Sequence, residues 1–415
     1  MEPKHLYFPS ADIHLDISLP ASKSISNRAL IINALSGSRS EIRNLSDCDD
    51  TQVLIRALKM DQSIINVGAA GTAMRFLTAY LAMTEGEWTL TGSERMKQRP
   101  VKLLVEALNN LGAEIQYIDK HGFPPLFING KKLKGGTIHL DGSVSSQYIS
   151  ALMMTAPCMQ EGLNIVLEGE IISLPYILMT MNMMKEFGVE VKFLTNRIEI
   201  TPQFYKPVDF TVESDWSAAS YWFEILSLVG EGEIFLKGLH QNSYQGDSKV
   251  AELFDNLGVA VQYFSDGVLL MPNKVNIDYF NYDFINQPDL AQTFVVCCCL
   301  KNIPFHFKGL KSLKIKETDR IEALKTELAK FGFLLTEPAA GELAWSGEKK
   351  EVCHFEETGE IFIETYDDHR MAMAFAPAAL MFPVAIEHPE VVSKSYPTFW
   401  DDIERIDKRE RKSVN

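Results

Sequence analysis

A basic surface, paired metal-ligand motifs, cysteine pairs and long apolar runs are all missing from this 415-residue chain, and each absence removes a class of function. Forty Lys and Arg face fifty-five Asp and Glu, a net charge of -15 that opposes non-specific binding to nucleic acid. The nine histidines include no H-E-x-x-H or similar spacing, so no metal site is expected. Six cysteines form no C-x-x-C pair, and Cys297, Cys298 and Cys299 sit inside the apolar run Phe294 to Leu300, where packing is their simplest role. Reduced thiols and a cytoplasmic location are expected. The longest uncharged run near the end, Met371 to Ile386, holds Pro377 and Pro383 and is too short to span a bilayer. Met1 to Pro20 carries charges throughout, without the apolar core of a secretory leader. Neither a Gly-Lys-Ser/Thr phosphate loop nor a G-x-G-x-x-G fingerprint is present, and no cofactor is expected.

What is present is a globular composition, 46% hydrophobic and 23% charged, in a chain too long for one ordinary core. Two domains follow. Four helical patterns close on Leu111-Gly112, Phe187-Gly188, Leu257-Gly258 and Phe331-Gly332, each glycine 70 to 76 residues after the last. Apolar strands such as Val189-Glu190-Val191 and Val259-Ala260-Val261 are expected after them. Helix, glycine cap and strand recurring at that period describe an α/β repeat with room for five or six copies.

Polar motifs stand at the starts of several of these helices. Lys314-Ile315-Lys316-Glu317-Thr318-Asp319-Arg320 precedes Ile321, Leu324, Leu328 and Phe331, with Asp319 and Glu322 spaced as a capping box and Arg320 in the first turn. Cations at a helix start oppose the local dipole, whereas an arriving anion is favoured there. Lys23 to Arg28 precedes a second helical pattern, with Ser22 and Ser24 as candidate caps. Gly68-Ala69-Ala70-Gly71-Thr72 is a small-residue turn whose N–H groups can approach a phosphate or carboxylate. Arg95, Lys97 and Arg99 alternate as on one face of an extended segment, before Pro100 opens another helix. Ser143, Ser145, Ser146 and Gln147 precede the helix Tyr148 to Thr155, and Ser173-Leu174-Pro175-Tyr176 precedes a Met-rich helix read as core filling. Asp289 follows Pro288, and His369, between Asp367-Asp368 and Arg370, is a candidate for a perturbed pKa. The segment from Asp401 onward is charged and expected to be solvated.

Taken together and in this order, these segments resemble the 5-enolpyruvylshikimate-3-phosphate synthase family of enolpyruvyl transferases over nearly the whole chain. The resemblance is carried by Lys23-Ser24-x-Ser26-Asn27-Arg28, Gly71 to Arg75, Arg95 to Pro100, Asp141 to Gln147, Lys316 to Arg320 and Asp368-His369-Arg370. It implies a two-lobed inside-out α/β barrel of repeated βαβαββ units. Residues 21–213 would form the N-terminal lobe, 1–20 with 214–415 the C-terminal lobe, and the active site would occupy the cleft between them. It implies a monomeric enzyme acting on shikimate 3-phosphate and phosphoenolpyruvate, with neither nucleic acid nor membrane as a partner.

Carried over residue by residue, the resemblance assigns shikimate 3-phosphate to Lys23, Ser24, Arg28, Ser145, Ser146, Gln147, Ser173, Tyr176, Asp289, Ser312 and Lys316. Phosphoenolpyruvate falls to Lys23, Gly71, Thr72, Arg99, Gln147, Glu317, Arg320, His369, Arg370 and Lys394. The catalytic set would be Asp289, Glu317, Lys23 and His369, with Asp289 as the base for the substrate hydroxyl. The two substrates together bring about six negative charges. Seven motif cations oppose them: Lys23, Arg28, Arg99, Lys316, Arg320, Arg370 and Lys394.

The chain departs from the family pattern at Ala69 and Ser312, where asparagines are usual, and at Phe76, which replaces a common proline. The interval from Asp50 to Gly68 is short by roughly one supersecondary unit, so one N-terminal repeat is expected to be trimmed. Two alternatives stand beside this reading. One is a UDP-N-acetylglucosamine enolpyruvyl transferase, which has Lys-Asn at Lys23-Ser24 and typically a loop cysteine near Arg99. The other is a non-catalytic anion-binding relative.

Overall fold

The computed structural model describes residues 2–9, 13–37, 40–59, 62–351 and 359–406. Two compact units divide the chain, Met1–Pro20 with Glu213–Asn415, here the terminal unit, and Ala21–Val212, the central unit. Strands β1 (Lys4–Leu6) and β2 (His14–Ser18) open the terminal unit.

The central unit begins with α1 (Lys23–Leu35), β3 (Ile42–Arg43) and α2 (Asp49–Ala57). A first full repeat follows as β4 (Ile64–Asn66), α3 (Gly71–Met83), β5 (Gly86–Thr91), α4 (Lys102–Asn110), β6 (Glu114–Tyr117) and β7 (Leu126–Gly130). A second runs through β8 (Gly136–Asp141), α5 (Ser146–Thr155), β9 (Leu163–Glu168), α6 (Leu174–Glu186), β10 (Lys192–Leu194) and β11 (Arg197–Ile200). Strand β12 (Phe210–Thr211) then pairs in parallel with β3.

Back in the terminal unit come α7 (Trp216–Val229), β13 (Glu233–Lys237), α8 (Val250–Asp255), β14 (Leu257–Tyr263) and β15 (Gly267–Val275). They are followed by β16 (Phe280–Asp283), α9 (Ala291–Leu300), β17 (Phe305–Lys308), α10 (Arg320–Ala329) and β18 (Leu343–Trp345). Strand β19 (Ile361–Ile363), α11 (His369–Phe375), β20 (Val384–Ile386) and α12 (Phe399–Ile403) complete it.

The repeat is visible in the sheet orders. β4-β5-β7-β6, β8-β9-β11-β10 and β2-β13-β15-β14 share one pattern, a parallel first pair closed by an antiparallel hairpin. The sheet β16-β17-β18 is extended by bridges Phe333–Lys349 and Thr336–Ala344, and β1 supplies the antiparallel neighbour of β20 in β19-β20-β1. Only two strands, β3 and β12, make up the sixth sheet. Among the described residues α2 leads to β4 without the usual hairpin, at the interval that is short in the sequence.

Helices occupy the centre of each unit and sheets the outside. Every residue of α9 is buried, as are nine of the ten in α5; both are mostly apolar, and the polar residues they bury are small hydroxyls and Gln292. Strands alternate instead, with β2 exposing His14, Asp16 and Ser18 and burying Leu15 and Ile17. Among the described residues the six sheets remain separate in hydrogen bonding, so each unit is three sheets packed around helices rather than one continuous barrel.

Gly112, Gly188, Gly258 and Gly332 take φ of 101°, 76°, 92° and 87° at matching points after α4, α6, α8 and α10, a region that favours glycine. Two expectations need correction. Val189–Val191 precedes β10, which begins at Lys192, whereas Val259–Val261 lies inside β14 as expected. The segment from Asp401 is not wholly solvated, because α12 buries Ile403 fully and a short turn beyond it buries Ile406; residues 407–415 lie outside the described residues.

Candidate active site

In the central unit the motif residues gather at the starts of α1, α3, α5 and α6. Ser22 caps α1 by accepting the N–H of Ile25, which leaves Lys23 as the first helical residue and Ser24 inside the helix rather than capping it. Lys23 Nζ lies 3.6 Å from Asp50 on α2. Arg28, one turn on, is buried among neighbouring helices: Nε donates to Thr180 Oγ1 at 2.7 Å, Nη2 to Ser150 Oγ at 3.0 Å and Nη1 to the Ser24 carbonyl at 3.0 Å. Its guanidinium also lies 5.4 Å from the Phe76 ring centroid and 5.8 Å from that of Tyr176. Burial lowers its pKa to about 10, so it remains a cation at neutral pH.

Helix α3 starts at Gly71 with no side-chain cap from Ala70, and a methyl group on Gly71 would lie 2.7 Å from Arg99 Nη1. Arg75 Nη1 donates to the Gly71 carbonyl at 3.2 Å and Nη2 to Pro100 at 3.3 Å. Gln147 Nε2 donates to Thr72 Oγ1 at 3.2 Å, joining the starts of α5 and α3. Ser145 caps α5, Ser146 is its first residue, and Ser173 before α6 takes a left-handed φ of 54° while buried. Such a conformation is costly for a residue with a side chain and is held only where the surroundings fix it. The Arg95–Arg99 segment is not extended: Met96–Gln98 forms a 3-10 turn, and the next helix starts at Lys102 rather than Pro100.

The terminal unit assembles an ionic network. Asp319 caps α10 by accepting from Ile321 and Glu322, which fixes Arg320 as the first helical residue. Arg320 is 2% exposed and meets three carboxylates: Asp368 at 2.7 Å, Glu317 at 3.1 Å and Asp289 at 3.5 Å. Burial works against its charge, yet Asp368, Glu317 and Asp289 together hold its pKa above the usual value. Asp289 also meets Arg370 Nη2 at 3.0 Å and Lys316 Nζ at 3.8 Å, and its backbone carbonyl accepts from Arg370 Nη1 at 3.0 Å. Lys394 meets the second Glu317 oxygen at 2.5 Å. His369 is buried at the start of α11, with Nδ1 3.8 Å from Asp368, whose carboxylate caps that helix through the N–H of Arg370. Ser312 is half-buried in the turn Lys311–Ile315 that feeds the loop.

Within each unit, then, most of the sequence-derived residues come together. Several partners had no sequence signal. Asp50, Ser150 and Thr180 read as ordinary helical residues, and Thr180 was hidden in the methionine-rich helix. Asp247 is buried against the Ser217 hydroxyl, and burial first, then the nearby Asp289 charge, pushes its carboxyl well up. Asp368 changes the charge count: the four cations of this network face three carboxylates already, so incoming anions must compete with Asp289, Glu317 and Asp368. Among the described residues no cluster of His, Cys, Asp or Glu is arranged to hold a metal ion.

Comparison with known proteins bears on the same residues. A family profile described as EPSP synthase (3-phosphoshikimate 1-carboxyvinyltransferase) matches residues 9–63 and 58–403, its two stretches meeting where α2 gives way to β4. A protein of Bacteroides fragilis named 3-phosphoshikimate 1-carboxyvinyltransferase is 54% identical over 404 residues, 97% of each chain. One of the same name from Vibrio atlanticus is 35% identical over 436 residues, covering 96% of this chain and 98% of its own. In three dimensions the chain is similar to an EPSP synthase from Acinetobacter baumannii, with a TM-score of 0.76 at 20% identity over 98% of both chains, a likeness of fold. With near-complete coverage at 54% identity and a family profile spanning both ionic clusters, the chain belongs to the EPSP synthase (3-phosphoshikimate 1-carboxyvinyltransferase) family.

Proposed function

We propose that the chain transfers the enolpyruvyl group of phosphoenolpyruvate to the 5-hydroxyl of shikimate 3-phosphate and releases phosphate, the family reaction of the shikimate route to chorismate and the aromatic amino acids. The observation that carries this reading is Asp289, a carboxylate contacted by Lys316, Arg320 and Arg370. A base and three anion-binding groups are thereby held in one cluster, which suits addition of a hydroxyl to a phosphorylated, carboxylated acceptor.

The reaction runs in two halves. The 5-hydroxyl oxygen adds to C2 of phosphoenolpyruvate while its proton passes to Asp289 and a proton is delivered to C3. Phosphate then leaves C2 as a C3 proton is removed, restoring the double bond. Glu317, bound to Arg320 and Lys394, is assigned the C3 proton with Lys23 and His369 as its partners in that task. Substrate phosphate and carboxylate groups take over the cations that Asp289 and Glu317 occupy here, and the released carboxylates become available to accept protons. Planar guanidinium groups of Arg99, Arg320 and Arg370 suit bidentate binding of phosphoenolpyruvate. Ser24, Arg28, Ser145, Ser146, Ser173, Tyr176, Ser312 and Lys316 are assigned to shikimate 3-phosphate, Gln147 to both substrates, and Gly71 and Thr72 to phosphoenolpyruvate.

A cytoplasmic monomer is part of the same proposal. No helix among the described residues is long and apolar enough to cross a membrane, and Cys48, Cys158, Cys297, Cys298 and Cys299 are free thiols. Mixing the purified protein with shikimate 3-phosphate and phosphoenolpyruvate and following phosphate release tests the assignment. Release only with UDP-N-acetylglucosamine as acceptor would transfer it to the sister reaction, and ligand binding without release would mark a non-catalytic relative.

A further inference from the structure

Two consecutive residues with side chains, Tyr366 and Asp367, adopt left-handed backbone with φ of 54° and 55°, immediately ahead of Asp368, His369 and Arg370. L-residues with side chains seldom hold this conformation unless neighbouring structure imposes it. The neighbour that does so is Glu327. It lies on α10 seven residues after Arg320, two turns along the same face, and is fully buried. Its Oε1 accepts the Tyr366 hydroxyl at 2.7 Å, while Oε2 accepts the N–H of Glu364 at 3.1 Å and Lys330 Nζ at 2.6 Å. Lys330 in turn donates to the Phe362 carbonyl at 2.8 Å, so the helix also grips the end of β19.

We propose that Glu327 is a positioning residue for the reaction assigned above, acting through Tyr366 to hold the left-handed turn that aims His369 and Arg370. One helix thus fastens the loop twice, through Glu327 at Glu364 and Tyr366 and through Arg320 at Asp368. With the first fastening gone, the turn relaxes toward right-handed backbone. Arg370 then loses its aim on the Asp289 carboxylate, now 3.0 Å away, and on the Asp289 carbonyl, also at 3.0 Å. Glu327 itself touches only Lys330, Glu364 and Tyr366 in these bonds, so its effect on turnover is indirect. The Tyr366 hydroxyl is kept protonated, as a donor must be, by burial and by Glu327.

The inference rests on the proposed reaction, and the experiment separates the two. Tyr366→Phe removes one oxygen and leaves Glu327 buried with its other partners; Glu327→Ala and the double variant complete a cycle. We expect Tyr366→Phe to lower the thermal midpoint by only about 2–4 °C, the loss of one hydrogen bond, and to bind shikimate 3-phosphate alone within about twofold, yet to lose about tenfold in kcat/KM for phosphoenolpyruvate. The double variant should be no worse than Glu327→Ala. Wild-type kcat/KM in Tyr366→Phe, or losses that simply multiply in the double variant, would overturn the role. If the wild-type protein releases no phosphate, the functional reading fails. The clamp is then judged by amide hydrogen exchange across residues 364–375, which should quicken in both single variants, and unchanged protection would refute it.

Discussion

Arg320 and Asp368 meet through two nitrogen–oxygen contacts, Nε to Oδ2 at 2.7 Å and Nη2 to Oδ1 at 3.1 Å, with the arginine 2% exposed and the aspartate fully buried. The planar fork of the guanidinium matches the carboxylate edge, a geometry that lysine cannot reproduce. Joined to the caps at Asp319 and Asp368, the pair fixes the starts of α10 and α11 against each other.

Removing Asp368 takes the two-point partner from a buried cation that Glu317 and Asp289 still face. Asp368→Ala should lose about 1–3 kcal/mol of stability, read as a lower urea midpoint. Arg320→Lys should retain more stability but fail in turnover, because a point charge cannot engage Asp368 and an incoming anion in the same planes.

Asp289→Asn preserves size while removing the proton acceptor. Turnover should fall by about 10² or more in the phosphate-release assay, with circular dichroism and shikimate 3-phosphate binding close to wild type. A variant that turned over normally would remove Asp289 from the mechanism.

Gly71 is required by space rather than by backbone angle. In Gly71→Ala the new methyl would stand 2.7 Å from Arg99 Nη1 and 3.0 Å from Nη2, so Arg99 must swing away. The KM for phosphoenolpyruvate should rise about tenfold, with little change in thermal midpoint.

Glu224, in the middle of α7, is fully buried and neither carboxylate oxygen has a hydrogen-bond partner among the described residues. Burial raises its pKa well above the ordinary 4.5, so the folded state holds a proton that the unfolded chain gives up. Its contribution is therefore intact below pH 4.5 and is lost as pH rises above that, by at most about 1.4 kcal/mol per pH unit. Glu224→Gln should flatten this part of the stability curve in urea titrations from pH 5 to 8, and an unchanged slope would refute the assignment.

Local grammar made the central features legible. The spacing of Asp319 and Glu322 before Ile321, Leu324 and Leu328 located the start of α10 and put Arg320 at its first position. The glycine period found the repeat because each copy needs a positive φ where helix turns to strand. What remained hidden depends on distant packing. Nothing near Arg320 announces Asp368, 48 residues on, and nothing near Arg28 announces Thr180, 152 residues on. Arg95 to Arg99 alternated like a strand, but Ser93 accepts the Met96 N–H at 3.2 Å and folds the segment into a turn. Ile403 of α12 and Ile406 in the turn beyond it were outweighed by the charges around them, although Ile403 is fully buried.

Strand β1 has as its hydrogen-bonded neighbour β20, with Lys4 opposite Ile386 and Leu6 opposite Val384. A ribosome therefore releases the opening strand long before its mate exists, a wait on the order of tens of seconds at ordinary elongation rates. Ala21 to Val212, continuous in sequence, can close during that delay. Birth order and reading order thus differ: residues 21–212 can mature first, and strand β1 settles only when β20 arrives.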